Sequence, residues 1–274
     1  MNNIKIKEIV AKGYINPSKL PGYDYVINPY VGCPHRCIYC YAEFMKRFSS
    51  HNEEWGTFTD VKIRSTAVKP VYLQNKNVFL SSVTDCYNLL EEKYCLTRQL
   101  LEKLRFSGAN ITILTKSDLV LRDIDILQQI PHVTVGFSLN TTDDVFRQQI
   151  EPCASSVLSR LYALKTLHEN GIRTWVHVAP IFPELSDWKA ILEAAEGFTD
   201  SFSFENLKLS YTALPRVLLY ITQQQPDVQE LYDLIYHEKK MDYWHKLRQE
   251  ILDFCKERNL AATIHFSEEN APQE

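Results

Sequence analysis

The sequence predicts an α/β fold whose parallel strands curl into an open or closed barrel, followed by a helical extension. Three observations carry this reading. Strand-like and helical runs alternate about six times between residues 25 and 209, the signature of parallel βαβ units. The 274 residues, 45% of them apolar, suffice for one large domain of that kind. No glycine-rich dinucleotide fingerprint follows the first strand; a cluster of cysteines stands there instead.

Residues 1–24 read as a lead-in, where Pro17, Pro21 and Gly22 break regular structure. Residues 25–27 form a short buried strand feeding the cysteine loop. Residues 42–48 have helical spacing, 49–60 read as a surface insertion, and 61–74 as a strand fragment and a short helix. The second strand is 77–82. Residues 91–106 place Leu96, Leu100, Leu101 and Leu104 on one helical face. The third strand is 110–115, then comes a helix over 120–130 stopped by Pro131, and the fourth strand is 133–139. A helix over 156–170 carries Leu158, Leu161, Leu164 and Leu167, with Gly171 as its stop. The fifth strand is 173–179, a helix covers 188–196, and the sixth strand is 201–209. The core is therefore 25–210. Residues 211–274 form the extension, with helices at 227–238 and 242–257, a last strand near 261–266, and a frayed end. The extension either caps the barrel or binds a protein partner.

Composition narrows the class. No apolar run approaches the ~20 residues that span a bilayer, and residues 1–5 carry no signal-peptide core, so a cytoplasmic protein with no membrane contact is expected. Seven cysteines, three of them clustered, do not resemble a secreted disulfide framework. The net charge of -4 excludes a general polyanion binder, but its distribution is uneven. Residues 1–76 hold 11 Lys and Arg against 6 Asp and Glu, whereas residues 77–274 hold 19 against 28. The first third could present a positive face to phosphates, or could be an ordinary mixed surface.

Cys33, Cys37 and Cys40 fall within eight residues, in the pattern C-x3-C-x2-C. Three thiolates so close can hold one metal centre but leave its shell incomplete. A four-iron cluster is normally held by four thiolates, so three leave one iron free. Gly32 and Pro34 suit a tight loop around a bulky centre, and Tyr39 can lay its ring beside whatever binds there. The alternative is a zinc-binding interaction module without catalysis, with His35 or His51 as fourth ligand. Three unrelated core cysteines are a further reading.

With its flanks, Asn28-Pro29-Tyr30 before and Tyr41-Ala42 after, the motif resembles the radical S-adenosylmethionine (SAM) superfamily. The wording is similar to its spore-photoproduct-lyase-like branch, and closest in look to the radical SAM mobile pair proteins. The resemblance, over residues 20–210, implies a partial (β/α)6 TIM-like barrel of the radical SAM type with a C-terminal helical extension. It implies a [4Fe-4S] cluster on the three cysteines, SAM on the free iron, and an electron donor such as flavodoxin or ferredoxin. Reduction would then split SAM into methionine and a 5'-deoxyadenosyl radical.

Loops at the C-terminal ends of the strands should carry the chemistry. After the second strand, Ser82, Thr84 and Asp85 suit the methionine end of SAM, and the branch has a Thr-Asp-x-Tyr segment here; a hydrogen-bonded turn is the plainer reading. Lys116 can pair with the SAM carboxylate or be a solvated loop residue. Ser138 and Asn140 could reach the ribose or methionine. Glu151 and Arg160 match the branch but could equally be a structural ion pair. Val178, Ala179 and Pro180 could wall the adenine. His177 points into the barrel by alternation, as many satisfied core histidines do. In spore photoproduct lyases a hydrogen-donating cysteine lies near the end of the second strand; Ser82 holds that place here, and Cys86 is four residues on, which argues against thymine-dimer repair. A nucleic acid is the substrate class the branch and the basic first third favour; a peptide or small metabolite is compatible too.

Overall fold

The computed structural model describes residues 4–11, 13–63 and 70–267. Eleven strands form two sheets among these residues: β1 (Lys5–Ile9), β2 (Ile15–Pro17), β3 (Tyr25–Ile27), β4 (Tyr30–Val31), β5 (Phe58–Lys62), β6 (Asn77–Leu80), β7 (Asn110–Thr115), β8 (Val133–Ser138), β9 (Arg173–Ile181), β10 (Ser201–Asn206) and β11 (Ala262–Ile264). The larger sheet runs β11-β10-β9-β8-β7-β6-β3-β2. All its neighbours are parallel except β2 on β3. Its two edge strands do not pair with each other, so this is the partial TIM-like barrel and not a closed one.

Helices cross between the parallel strands. They are α1 (Glu91–Tyr94), α2 (Leu96–Leu104), α3 (Ile124–Leu127), α4 (Asp144–Ile150), α5 (Val157–Glu169), α6 (Trp188–Ala195), α7 (Ala213–Gln224), α8 (Gln229–Tyr236) and α9 (Asp242–Glu257). No helix is long and apolar enough to cross a membrane among the described residues. One continuous apolar core joins the sheet to α2, α5, α6 and the C-terminal helices. Trp188 of α6 packs edge-on to Phe204 of β10, at 6.3 Å between ring centroids. Phe204 therefore marks the helix-facing side of the sheet, and Val178, its register partner, shares that side. The residues between, Trp175, His177, Ser203 and Glu205, face the lumen.

Several expectations are corrected. The lead-in contains two strands despite its prolines: β1 lies parallel to β5, and β2 covers the edge of β3 with Pro17 at its last position, where a missing N–H costs least. Residues 49–60 are no surface insertion. Phe58, Thr59 and Asp60 are buried in β5, the central strand of a β1-β5-β4 sheet, and His51 and Trp55 are buried beside it. The alternation in Phe-Thr-Asp-Val-Lys is hidden because both faces are covered. Of the 61–74 expectation, residues 64–69 lie outside the described residues, as do 1–3, Lys12 and 268–274; a 3-10 turn covers Pro70–Leu73. Residues 42–48 form a 3-10 helix, Tyr41–Phe48, rather than an α-helix. The 91–106 helix is split at Cys95, whose φ is 50°. The 120–130 helix is a 3-10 turn, Asp118–Asp123, followed by α3. On α5 the buried face is Val157, Arg160, Ala163, Leu164 and Leu167, while Leu158 is exposed. Leucines at steps of three drift around a helix of 3.6 residues per turn, so Leu158 has left the face. The extension holds three helices where two were expected; α7 was hidden by Pro215, which its first turn accommodates.

Gly136 on β8 shows how tightly the lumen floor is filled. A Cβ there would lie 2.0 Å from the Trp175 indole nitrogen, so the indole lies directly across the glycine. Gly136→Ala should therefore displace Trp175 and lower unfolding free energy by about 1–3 kcal/mol. Urea denaturation followed by tryptophan fluorescence checks this; an unchanged midpoint would contradict the packing described.

Candidate active site at the strand ends

The cysteine loop follows β3 and β4 on the face where the parallel strands end. Gly32 opens it at φ +90°, and a Cβ there would meet the Phe58 carbonyl oxygen at 2.4 Å, so glycine alone fits. The loop has little core of its own and is tied to its surroundings by hydrogen bonds. Ile38 N–H donates to Ile150 O at 3.0 Å, Cys153 N–H to His35 O at 3.2 Å, and Thr84 Oγ1 to Gly32 O at 2.7 Å. Arg216, at the start of α7, donates to Ile38 O at 3.3 Å and pairs with Glu43 at 2.8 Å.

Cys33, Cys37 and Cys40 are free thiols that influence one another's ionisation. Burial pushes all three up, Cys33 to about 12, with Asp85 and Cys40 adding to the rise there. The thiols are nevertheless supplied with N–H donors. Cys40 receives the Trp55 indole N–H at 3.2 Å, and the backbone N–H groups of His35 and Asp85 near Cys33 and of Ala42 near Cys40 offset part of the rise. Donors aimed at sulfur suit thiolate ligands, whose protons a bound cation displaces. Among the described residues no group of three or more His, Cys, Asp or Glu side chains could hold a single metal ion. His35 faces Asp85 at 3.4 Å, and His51 is held between Glu53 at 3.0 Å and Asp60 at 2.8 Å, so neither turns to the thiols as a zinc ligand would. Three free cysteines on one tight loop, with the nearby histidines turned to carboxylates, are the donor type an iron–sulfur cluster takes.

Two buried carboxylates organise the surrounding loops. Asp85 accepts from Tyr87 N–H at 2.8 Å, Thr115 Oγ1 at 2.7 Å and Lys116 N–H at 2.8 Å. It thus joins the β6 and β7 loops to His35 of the cysteine loop, and the turn-forming reading of Asp85 is part of that role. Glu151, which the sequence left as one half of an ion pair, is a hub. Arg160 donates to it at 2.5 Å, Asn140 Nδ2 at 3.1 Å, and the Tyr39 hydroxyl also donates to it; Lys116 Nζ stands 4.0 Å away. Burial opposes ionisation of Glu151, but the charges of Arg160 and Lys116 prevail and hold it below the usual carboxylate range. Lys116 is raised despite burial, through Glu151 and Cys37.

Of the sequence candidates, Tyr39, Lys116 and Asn140 converge on Glu151. Tyr39 turns into the protein, edge-on to Phe182 at 5.7 Å, with Lys116 5.9 Å above its ring. Asn140 keeps its Oδ1 buried and without a partner. That orphaned acceptor, beside an ammonium, fits a bound molecule carrying a donor. Ser82 accepts from Asn28 at 3.2 Å through its hydroxyl and from Tyr41 through its carbonyl, and Ser138 donates to Ala179 O at 3.0 Å. Val178 lies on the helix side and cannot wall a ligand in the lumen. His177 binds Ser203 at 2.8 Å and Glu205 at 3.5 Å; Glu205, opposed by burial but held by His177 and Lys208, falls to about 2.

The Radical SAM superfamily profile matches residues 27–195. A protein of Methanocaldococcus jannaschii is 36% identical over 261 residues, 95% of this chain and 96% of its own. One of Mycobacterium tuberculosis is 30% identical over 203 residues, 68% of this chain and 58% of its own. Among solved structures, spore photoproduct lyase complexed with dinucleoside spore photoproduct superposes with a TM-score of 0.67 at 17% identity, over 96% of this chain and 82% of that one. Streptococcus suis SuiB bound to S-adenosylmethionine gives 0.57 at 15% identity, over 88% and 49%. The chain belongs to the radical SAM superfamily. It is a radical SAM enzyme, of the kind that uses a [4Fe-4S] cluster and SAM.

Glu151→Gln leaves Arg160 charged and buried without its partner. Unfolding free energy should fall by about 3–5 kcal/mol, read from chemical denaturation at neutral pH; a loss below about 1 kcal/mol would show that Glu151 is not the hub described.

Proposed function

We propose that Cys33, Cys37 and Cys40 hold a [4Fe-4S] cluster at three corners and present its fourth iron to SAM. The observation that carries this is a loop of three neighbouring free thiols, one of them accepting the Trp55 indole N–H, whose nearby histidines are turned to carboxylates. Held by these three residues, such a cluster would supply the one-electron reduction of SAM from which hydrogen abstraction at a substrate would follow.

The chain's own residues orient and shield. Lys116 offers its ammonium to the SAM carboxylate, and the spare Oδ1 of Asn140 takes a donor of the same ligand. Ser82 and Ser138 line the strand ends beside it. Thr84, Asp85 and Tyr39 act as positioning residues: Thr84 fixes Gly32, Asp85 fixes Lys116, and Tyr39 braces Glu151.

A nucleic acid is the preferred substrate class. It is supported by the basic first third of the chain and by the likeness to spore photoproduct lyase, whose structure holds a dinucleoside. With Ser82 where that enzyme's hydrogen-donating cysteine is expected, the reaction differs from thymine-dimer cleavage. A flavodoxin or ferredoxin of a reducing, cytoplasmic compartment is the electron donor.

Cys37→Ala should abolish formation of 5'-deoxyadenosine from SAM with dithionite as reductant, measured by chromatography; undiminished product would defeat the assignment. Lys116→Met should weaken SAM binding by about 1.5–3 kcal/mol, the worth of a charge-assisted hydrogen bond, while the cluster still assembles. Unchanged SAM affinity in titration of the reconstituted protein would remove Lys116 from the site.

A further inference from the structure

The 3-10 helix Tyr41–Phe48 begins at the residue after Cys40 and has two unlike sides. Ala42 and Met45 pack with Trp55, Phe58, Cys33 and Cys40 in one small apolar cluster. The other side carries Phe44 and Arg47, one 3-10 turn apart, with Phe48 beside them, while Tyr41 turns its hydroxyl to the Ser82 carbonyl at the strand ends. Phe44, Arg47 and Phe48 are exposed, Phe48 to 68%. The Arg47 guanidinium lies 5.4 Å from the Phe44 ring centroid and 4.9 Å from that of Phe48. A pair of exposed aromatics organised by a cation is unusual for a solvated face and marks an interaction surface.

Charge and position say what it receives. Lys46 lies on the same helix, and its acid, Glu43, is already neutralised by Arg216 at 2.8 Å. Lys7 reaches Ser50 just beyond the helix end. The patch belongs to the positive third of the chain, where 11 basic residues face 6 acidic ones. One layer of side chains separates it from Cys40, whose sulfur already receives the Trp55 indole N–H. An electron delivered here crosses the thin outer wall of the cysteine loop, while the lumen side is left to SAM and substrate.

We propose that the Phe44–Arg47–Phe48 surface is the docking site of an acidic one-electron carrier protein, with the two aromatic rings at the centre of the contact and the cations steering approach. The proposal rests on the reading of Cys33, Cys37 and Cys40 as cluster ligands. Electrostatic steering raises association rates and makes them fall with ionic strength.

The test uses reconstituted holoenzyme and two reductants, reduced flavodoxin and dithionite, with loss of the cluster's visible absorption as readout. Arg47→Glu and, separately, Phe48→Ser change side chains that lie on the outer surface. Each should slow flavodoxin-driven reduction by about tenfold or more, with reduction by dithionite unchanged, and added salt should slow the wild type toward the Arg47→Glu rate. Flavodoxin-driven rates that match wild type in both variants would overturn the proposal. So would equal slowing with both reductants, which would locate the fault in the cluster. If the variants lose affinity for a single-stranded oligonucleotide yet keep the flavodoxin rate, the surface serves a nucleic acid and the proposal falls. If wild-type protein takes up no cluster, it is the cluster assignment that fails, and absent dithionite reduction identifies that case.

Discussion

A loop that carries three partly buried thiols and almost no core of its own must be held from outside. Two sealed carboxylates do this. Asp85 gathers the loop after β6, the backbone of Lys116 after β7 and His35 of the cysteine loop. Glu151 gathers Tyr39 from the cysteine loop, Asn140 from the end of β8 and Arg160 from α5. A buried carboxylate without partners would be strongly unfavourable, so each geometry is nearly obligatory once the charge is inside. The site is therefore a set of strand ends locked together by charge, and the sheet supplies the spacing between them.

The loop is held on its outer side as well. The small β1-β5-β4 sheet backs the cysteine loop from the side opposite the lumen. Its Phe58 carbonyl presses on Gly32, and Trp55 closes on Cys40. The loop is thus fixed between two sheets, one leading into the lumen and one facing outward. The C-terminal helices complete the enclosure, since Arg216 of α7 binds both the loop backbone and Glu43.

Much of this was legible in the sequence. The six central strands show as short apolar runs, and the third matches its observed bounds, with Ile111, Ile113 and Thr115 buried and the residues between them half-buried. The cysteine spacing and its flanks point to the superfamily that the comparisons establish. What was hidden has physical reasons. β5 reads as polar because Thr59 and Asp60 are buried with hydrogen-bond partners, Asp60 with His51. The role of Glu151 needed three dimensions, since its partners come from positions as far away as Tyr39, 112 residues apart in the chain. The leucines of α5 misled because a period of three imitates a helical face over only a turn or two.

The central claim is that the cluster is gripped at three corners and that its remaining iron is open to SAM. Electron paramagnetic resonance of the anaerobically reconstituted, reduced protein, recorded with and without SAM, tests it most directly. A [4Fe-4S] signal whose shape changes when SAM is added is the result expected. Tight stoichiometric zinc with no such signal, or a cluster signal indifferent to SAM, would contradict the account.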